Sequence, residues 1–320
     1  MKHLQRRCLH CLFLLIGASF LCFLFSTLAP GNFFDDMKLN PQISATTVAA
    51  LRTQYGIDQP IPVRYVRWAT SVLRGEWGYS FAYNCSVRSL LLVRARNTLL
   101  LTVLATVFAW GLAIPMGVWS AYRFGHWEDR AGQAGTSVLL SVPELVLALL
   151  LLLIAVRTHL FPAGGMVSVN FDSLTPTAKA CDVIRHLFAP FTTLVLASLP
   201  VLVRHVRTSM IEVLRSPFML ATRAHGIGQM RLLFRFALPA AANPLSSLLG
   251  LSVAGLLSGS LLVEVISGWP GLGPLLLEAS LDRDIYVVVG TVMASTIFMI
   301  AGSILADLLL VAVDPRVRLG

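Results

Sequence analysis

Six long apolar runs constrain the fold of this chain more than any other feature. They lie at about 8–28, 98–121, 135–156, 187–206, 244–263 and 286–311. A helix needs about 20 apolar residues to cross a bilayer, and a spanning segment must satisfy its own backbone hydrogen bonds. The sequence therefore predicts an all-α, polytopic membrane protein with six transmembrane helices.

The composition agrees with a membrane protein. Of the 320 residues, 56% are hydrophobic and only 13% are charged, whereas an ordinary soluble domain has about 25% charged residues. The net charge of +9 comes from arginines at the ends of apolar runs, as membrane topology requires. We therefore expect a lipid bilayer around the chain and no nucleic acid as partner. The first run exceeds the core of a signal peptide, which has about 7–15 residues, so we interpret it as a span.

The distribution of arginine predicts the orientation. Six spans place both termini and the central polar segment on one side of the membrane. The central inner segment carries one acidic residue, Glu212, against the basic residues Arg204, Arg207, Arg215, Arg223, Arg231 and Arg235. Because Lys and Arg favour the cytoplasmic side, we expect cytoplasmic termini and an extracytoplasmic region at 30–96.

The central segment at 220–239 is basic and interrupted by Gly226 and Gly228. Good helix formers on both sides of these glycines predict a helix, a sharp turn and a second helix. At helical spacing, one face of the second helix is apolar and another carries two arginines. The apolar positions are Met230, Leu233, Phe234 and Ala237, and the basic ones are Arg231 and Arg235. Such a hairpin should lie on the cytoplasmic surface and face a partner.

This segment resembles the EAA loop of ABC-importer permeases, whose pattern is Glu-Ala-Ala, three residues, Gly, nine residues and Ile-x-Leu-Pro. Here Leu220-Ala221-Thr222 take the first three places, Gly226 the glycine, and Phe236, Leu238 and Pro239 the end. Leu220 replaces the family's Glu. The resemblance implies a coupling helix that docks into a groove of an ATPase subunit, and an ordinary positive-inside loop is the alternative. The residues implied in coupling are Ala221, Thr222, Arg223, Ala224, His225, Gly226, Leu238 and Pro239.

Motifs elsewhere resemble the dipeptide, oligopeptide and nickel branch of these permeases. Before the second run stand Tyr-Gly-Ile-Asp-Gln-Pro-Ile-Pro at 55–62 and Gly-Glu-Trp-Gly-Tyr-Ser at 75–80. After the fifth run comes Glu-Val-Ile-Ser-Gly-Trp-Pro-Gly-Leu-Gly at 264–273, and Asp-Pro-Arg follows at 314–316. The resemblance implies an N-terminal helix with an extracytoplasmic region at 1–96 and an ABC transmembrane type-1 domain at 97–320. It also implies structural or gating roles for Glu264, Trp269, Pro270, Gly271 and Asp307. For Glu264 and Asp307 we favour helix packing or loop anchoring over contact with substrate.

No catalytic or nucleotide-binding pattern is visible. The seven histidines form no metal-binding pair, and no Gly-x-x-x-x-Gly-Lys-Ser/Thr is present, so we expect no metal, no cofactor and no enzymatic activity in this chain. The resemblance implies two partner ATPases that bind ATP and Mg²⁺, a second and usually non-identical permease, and an extracytoplasmic binding protein in a bacterial inner membrane.

The function implied is ATP-driven import of di- or oligopeptides by alternating access, with nickel or metal-chelate import as the alternative within the family. The arginines Arg88, Arg94 and Arg96 of the outer region would contact lipid headgroups or the binding protein. An ion-gradient-driven secondary transporter, which would show paired intramembrane charges and inverted repeats, and a membrane-embedded enzyme are alternatives of other classes.

Three further features leave alternatives open. Glu144 follows Pro143 within the third run and either lines a translocation pathway or is a carboxyl group satisfied by a neighbouring helix or kept protonated. The prolines of the spans are hinges or static kinks. Cys85 and Cys181 fall in the predicted outer loops and either pair as a disulfide or remain unpaired.

Overall fold

The computed structural model describes residues 2–28, residue 46 and residues 59–313. Two helices, α1 (Lys2–Leu28) and α2 (Ile61–Leu73), precede a two-stranded antiparallel hairpin of β1 (Tyr79–Ser80) and β2 (Cys85–Ser86), in which Tyr79 pairs with Ser86. The helices that follow are α3 (Val87–Tyr122), α4 (Trp127–Ser141), α5 (Glu144–Thr158), α6 (Pro176–Leu214), α7 (Pro217–Ala224), α8 (Gln229–Arg231), α9 (Leu238–Ala240), α10 (Ala242–Ile266), α11 (Leu272–Leu281) and α12 (Ile285–Val313). The first half of the motif at 55–62 and the whole motif at 314–316 lie outside the described residues.

Within the described residues, five helices are long and apolar enough to cross a membrane, namely α1, α3, α6, α10 and α12. The third predicted span is not one continuous helix. It is divided between α4 and α5, which meet at a bend of 89° and pass the same test only together. The break follows from Pro143, because the residue before a proline is pushed out of the helical region, and Val142 is indeed extended, with φ −91° and ψ 117°.

The described residues fall into two compact units. One contains the described part of Met1–Thr98 together with Pro270–Phe298, and the other contains Leu99–Trp269 with the described part of Met299–Gly320. Each unit has its own apolar core.

The core of the second unit is built on a ladder of buried residues, most of them alanine, along one face of α3. Leu101, Ala105, Ala109 and Ala113 are fully buried at every fourth position, where a helix presents one face. They pack against α6, α10 and Trp269. Gly117 continues the ladder, and a Cβ atom built there would lie 2.6 Å from the Cβ of Val206. Small side chains of this kind let helices in a membrane approach closely.

The first unit is fastened by an aromatic cluster and by one aspartate. Phe23 of α1, Trp68 of α2 and Val289 of α12 are buried together. Asp284 caps α12, and its Oδ2 accepts hydrogen bonds from the Ser80 hydroxyl at 2.7 Å and from the Phe81 amide at 3.1 Å. The β-hairpin is a small exception to the all-α prediction, and this carboxyl group ties it to the start of a spanning helix.

Candidate functional site

The glycine-interrupted segment forms the predicted helix, turn and helix. Helix α7 begins at Pro217, and the Ser216 side chain accepts a hydrogen bond from the Met219 amide. The helix ends at Ala224, and Gly226 then adopts φ +71°, a conformation that side chains other than glycine rarely take. The chain returns through α8, a π-helical turn at Leu232–Ala237 and α9.

One side of this hairpin is fixed to the protein. Met219, Leu232, Leu233 and Ala237 are buried against the ends of α3 and α6. Thr222 also points inward, and its hydroxyl donates to the carbonyl oxygen of Phe218 at 2.8 Å. The hairpin is therefore anchored on the two helices that build the core of the second unit.

The prediction that four apolar residues share one face of the second helix is partly wrong. Leu233 and Ala237 are buried, but Met230 and Phe234 are exposed, with 64% and 42% of their accessible surface, and Leu232 is buried instead. The cause is the π-helical turn, whose wider i→i+5 spacing shifts the residues that face the core relative to an ideal α-helix.

The opposite side of the hairpin is open and has a mixed apolar and basic character, and we call it the hairpin surface. Its exposed apolar side chains are Phe218, Leu220, Met230 and Phe234, and its exposed basic or titratable ones are Arg223, His225, Arg231 and Arg235. Among the residues implied in coupling, Ala221, Ala224, Gly226 and Pro239 are exposed here as well, whereas Leu238 is half-buried. Exposed apolar residues mixed with cationic ones are typical of a surface that another protein covers.

A buried ion pair next to the hairpin was not foreseen from the sequence. Asp129 at the start of α4 accepts two hydrogen bonds from the Arg207 guanidinium, at 2.7 and 2.8 Å, and one from the Ser120 hydroxyl at 2.6 Å. The Gly125 amide donates to its second oxygen at 3.0 Å. Phe124 lies under the guanidinium groups of Arg207 and Arg215, at 5.2 and 4.6 Å from the ring centroid. The pair therefore fixes the α3–α4 corner to α6 immediately before the hairpin.

Glu144 is the first residue of α5, directly after the break in the third span. A Cβ atom built on Gly259 of α10 would lie 2.6 Å from its Oε2 and 2.7 Å from its Oε1. The half-buried carboxyl group thus rests on a helix that has no side chain at that position. Within the described part of the chain it accepts no hydrogen bond and forms no ion pair.

The turn after α10 is anchored in the second unit. Glu264 and Trp269 are fully buried, and the Trp269 amide donates to the Glu264 carbonyl oxygen at 2.9 Å. The Gly165 amide donates to the Ser267 carbonyl at 3.1 Å, and a side chain at Gly164 would meet the same carbonyl.

The chain then enters the first unit, where the Asn97 side chain donates to the Pro270 carbonyl at 2.8 Å and Gly271 precedes α11. Asp307 lies in α12, and its side chain is outside the described residues.

The sequence leaves open whether Cys85 and Cys181 pair. Cys85, which is half-buried, and Cys181, which is exposed, are both free thiols.

Comparison with known protein families identifies the family to which this chain belongs. Residues 113–319 match the family model described as the binding-protein-dependent transport system inner membrane component. The chain belongs to this family, that of the membrane-embedded permease subunits of ABC importers. It is therefore a multi-pass transport subunit that works with ATPase and binding-protein partners.

Curated relatives match over almost the whole chain. The oligopeptide transport system permease protein AppB of Bacillus subtilis (strain 168) is 31% identical, over 99% of this chain and 99% of that protein. The dipeptide transport system permease protein DppB of Escherichia coli (strain K12) is 32% identical, over 95% and 94%. The oligopeptide transport system permease protein OppB of Mycobacterium bovis is 32% identical, over 99% of each chain.

A solved structure supports the fold. The structure titled inward facing conformations of the MetNI methionine ABC transporter matches with a TM-score of 0.58 and 18% sequence identity, over 70% of this chain and 96% of that chain. The all-α importer-permease fold predicted from the sequence is thereby confirmed.

Proposed function

We propose that this chain is the permease subunit of an importer of di- or oligopeptides. The observation that carries the substrate class is the full-length similarity to permeases named for oligopeptide and dipeptide transport. No feature of the described residues favours nickel or a metal chelate, and no group of three metal-ligating side chains occurs among them.

The hairpin surface is the element that would transmit the ATPase cycle. Its exposed apolar and basic side chains support docking into a groove of an ATPase subunit, which binds the ATP and Mg²⁺. Its buried side contacts α3 and α6, so a displacement of the hairpin would act directly on two spanning helices. The assembly would comprise a second, non-identical permease and two ATPases. Both chain termini would be cytoplasmic, and the binding protein would approach from the opposite side.

The test is uptake by proteoliposomes that contain the complete transporter and its binding protein. We expect ATP-dependent accumulation of labelled di- to pentapeptides and none of Ni²⁺ or a nickel chelate. An ATPase-inactive complex serves as the control. Accumulation of nickel without peptide would refute the proposed substrate class.

We also propose that Glu144 lines the translocation pathway. A carboxylate within a span is costly unless it faces a cavity or the interior of the bundle. Its place at the helix break supports such a site, because the carboxyl group fits against the bare backbone of Gly259 and has no hydrogen-bond or ionic partner among the described residues. The carboxylate would attract basic groups of a passing peptide.

We therefore expect Glu144→Gln to raise KM for lysine-containing peptides about tenfold more than for neutral ones, since a hydrogen bond to a charged group contributes about 1.5–3 kcal/mol. Uptake of matched Ala-Lys-Ala and Ala-Ala-Ala peptides measures this difference. Glu212→Gln, at an exposed position of α6, is the control and should leave both values unchanged. Equal changes for both peptides in Glu144→Gln would remove Glu144 from the pathway.

A further inference from the structure

The first unit contains a cavity of about 540 Å³ that the transport function does not explain. Its walls come from α2, the turn before β1, the β2 strand, the first residues of α3 and the start of α12. The cavity is open on one side and combines three arginines with aromatic side chains.

The arginines Arg64, Arg67 and Arg88 line this cavity against a single carboxylate, that of Glu76. The guanidinium carbon of Arg64 lies 5.6 Å from the centroid of the Phe23 ring, and Nη1 of Arg88 lies 3.6 Å from the position of a Cβ on Gly75. Within the described part of the chain, neither Arg67 nor Arg88 forms an ion pair or donates a side-chain hydrogen bond. Among the described residues, the guanidinium groups of Arg67 and Arg88 are therefore available to donate hydrogen bonds to an anion in the cavity.

The aromatic walls and the neighbouring helices are those expected at a membrane interface. Trp68, Trp77 and Tyr286 line it, and Trp and Tyr are enriched where a membrane meets water. Trp68 packs on Phe23, near the end of the span Leu9–Leu28, and Tyr286 begins the span Ile285–Leu305. Both spans thus end beside the cavity.

Helix α2 has the character of a helix that lies in the interface plane. Its side chains Val63, Val66 and Leu73 are exposed, with 48%, 59% and 88% of their surface, and they share one face of the helix with Arg67. Apolar and basic residues interleaved on one exposed face are typical of interfacial helices that bind anionic membranes. The apolar face would contact acyl chains while the arginines reach the headgroups.

We propose that this cavity binds the phosphodiester headgroup of an anionic membrane phospholipid. Guanidinium groups bind phosphate oxygens through paired N–H donors, and the volume accommodates a phosphoglycerol headgroup between the aromatic walls. The concave shape and the adjoining apolar face of α2 favour a lipid over an acidic patch on the binding protein, which would meet an exposed, flatter surface. The bound lipid would fix α2 against α1 and α12.

The test measures lipid binding to the full-length protein, delipidated in a neutral maltoside detergent, by native mass spectrometry. Dioleoylphosphatidylglycerol and dioleoylphosphatidylcholine are titrated in parallel. The variant is Arg67→Gln/Arg88→Gln, and the matched control is Arg74→Gln, an exposed arginine at the end of the same helix that does not line the cavity. We expect wild type and control to prefer phosphatidylglycerol about tenfold, and the double variant to lose that preference while remaining folded by circular dichroism.

Two further arms distinguish the sources of the anion. Soluble glycerophosphoglycerol and inorganic phosphate, each added at the lipid concentration, should not displace phosphatidylglycerol. Displacement by either would show a site for free phosphates and would overturn the lipid assignment. Unchanged lipid preference in the double variant would also overturn the lipid assignment. So would a double variant that still binds lipid but no longer recruits the binding protein in neutral nanodiscs. If the double variant misfolds, the single variants Arg67→Gln and Arg88→Gln take its place, with a partial loss of preference expected in each.

Discussion

A single missing side chain sets the contact between α3 and α6. At Gly117, an added Cβ would lie 2.6 Å from Val206 Cβ and Cγ1 and 3.0 Å from the Val203 carbonyl oxygen. In a helix interior, alanine is otherwise favoured over glycine by about 0.8–1 kcal/mol. Overpacking a close contact costs about 1–3 kcal/mol. At this backbone contact we expect the cost of overpacking to exceed the gain in helix propensity.

We therefore expect Gly117→Ala to lower the midpoint of thermal unfolding of the purified protein in detergent. Gly111 of the same helix is the matched control, because an added Cβ there meets nothing within 4 Å. Gly111→Ala should leave the midpoint unchanged or raise it. A midpoint that is raised in both variants would mean that α6 can move away from α3 at little cost.

Among the elements, the buried pair of Asp129 and Arg207 links the start of α4 to α6. The carboxylate is buried and receives four hydrogen bonds, so Asp129→Asn or Arg207→Gln alone leaves an uncompensated buried group. Each single change should destabilise the protein by about 3–5 kcal/mol, whereas replacing both partners should cost much less than the sum. A double-mutant cycle in urea or heat measures the coupling. Additive effects would show that the two side chains do not act as a pair.

Asp284, whose carboxyl group links the β-hairpin to α12, should make the stability of the protein depend on pH. Burial raises the pKa of Asp284, opposed mainly by the hydrogen bond from Ser80, which favours the ionised form. The Asp284 carboxyl group therefore binds its proton more tightly in the folded protein than in the unfolded chain. The stabilisation that results is fully present below the pKa of about 3.9 that Asp has in an unfolded chain. It is lost as the pH rises through the folded value.

Ser80→Ala should raise the pKa of Asp284 further and extend this loss of stability to higher pH. The measurement is the unfolding midpoint between pH 4 and pH 8, and Asp284→Asn, which cannot titrate, serves as the control with the flatter profile. A profile for Ser80→Ala that coincides with wild type would contradict the assigned hydrogen bond.

The elements also show what the sequence could and could not predict. Apolar runs and the Gly226 turn were predictable because span length and left-handed backbone leave direct traces in the sequence. The 89° bend was not, although Pro143 marked its place, since a proline fixes where a helix breaks and not the angle. The split of the predicted apolar face, with Leu233 and Ala237 buried but Met230 and Phe234 exposed, was not predictable because a π-helical turn has no simple periodicity. The Asp129–Arg207 pair joins residues 78 positions apart, a distance over which sequence patterns say nothing about contact.

At the scale of the whole molecule, transport requires that events at the ATPases reach the spanning helices. We propose the hairpin for this role, because its buried side packs on α3 and α6 and its other side is open. Its shape depends on Gly226, whose φ of +71° would strain most other residues by about 1–2 kcal/mol and a β-branched side chain by more. A change there should disturb the hairpin surface without disturbing the core.

We therefore expect Gly226→Val to insert and express normally but to lose substrate-dependent uptake in vesicles and to recover less ATPase in pull-downs. Gly228→Val is the matched control, since Gly228 is equally exposed two residues away but has φ −59° and open space around it. Retained uptake in Gly228→Val with loss in Gly226→Val would attribute the effect to the turn conformation, and loss in both would attribute it to steric exclusion from the ATPase groove. Normal uptake in Gly226→Val would mean that the hairpin does not transmit the ATPase cycle.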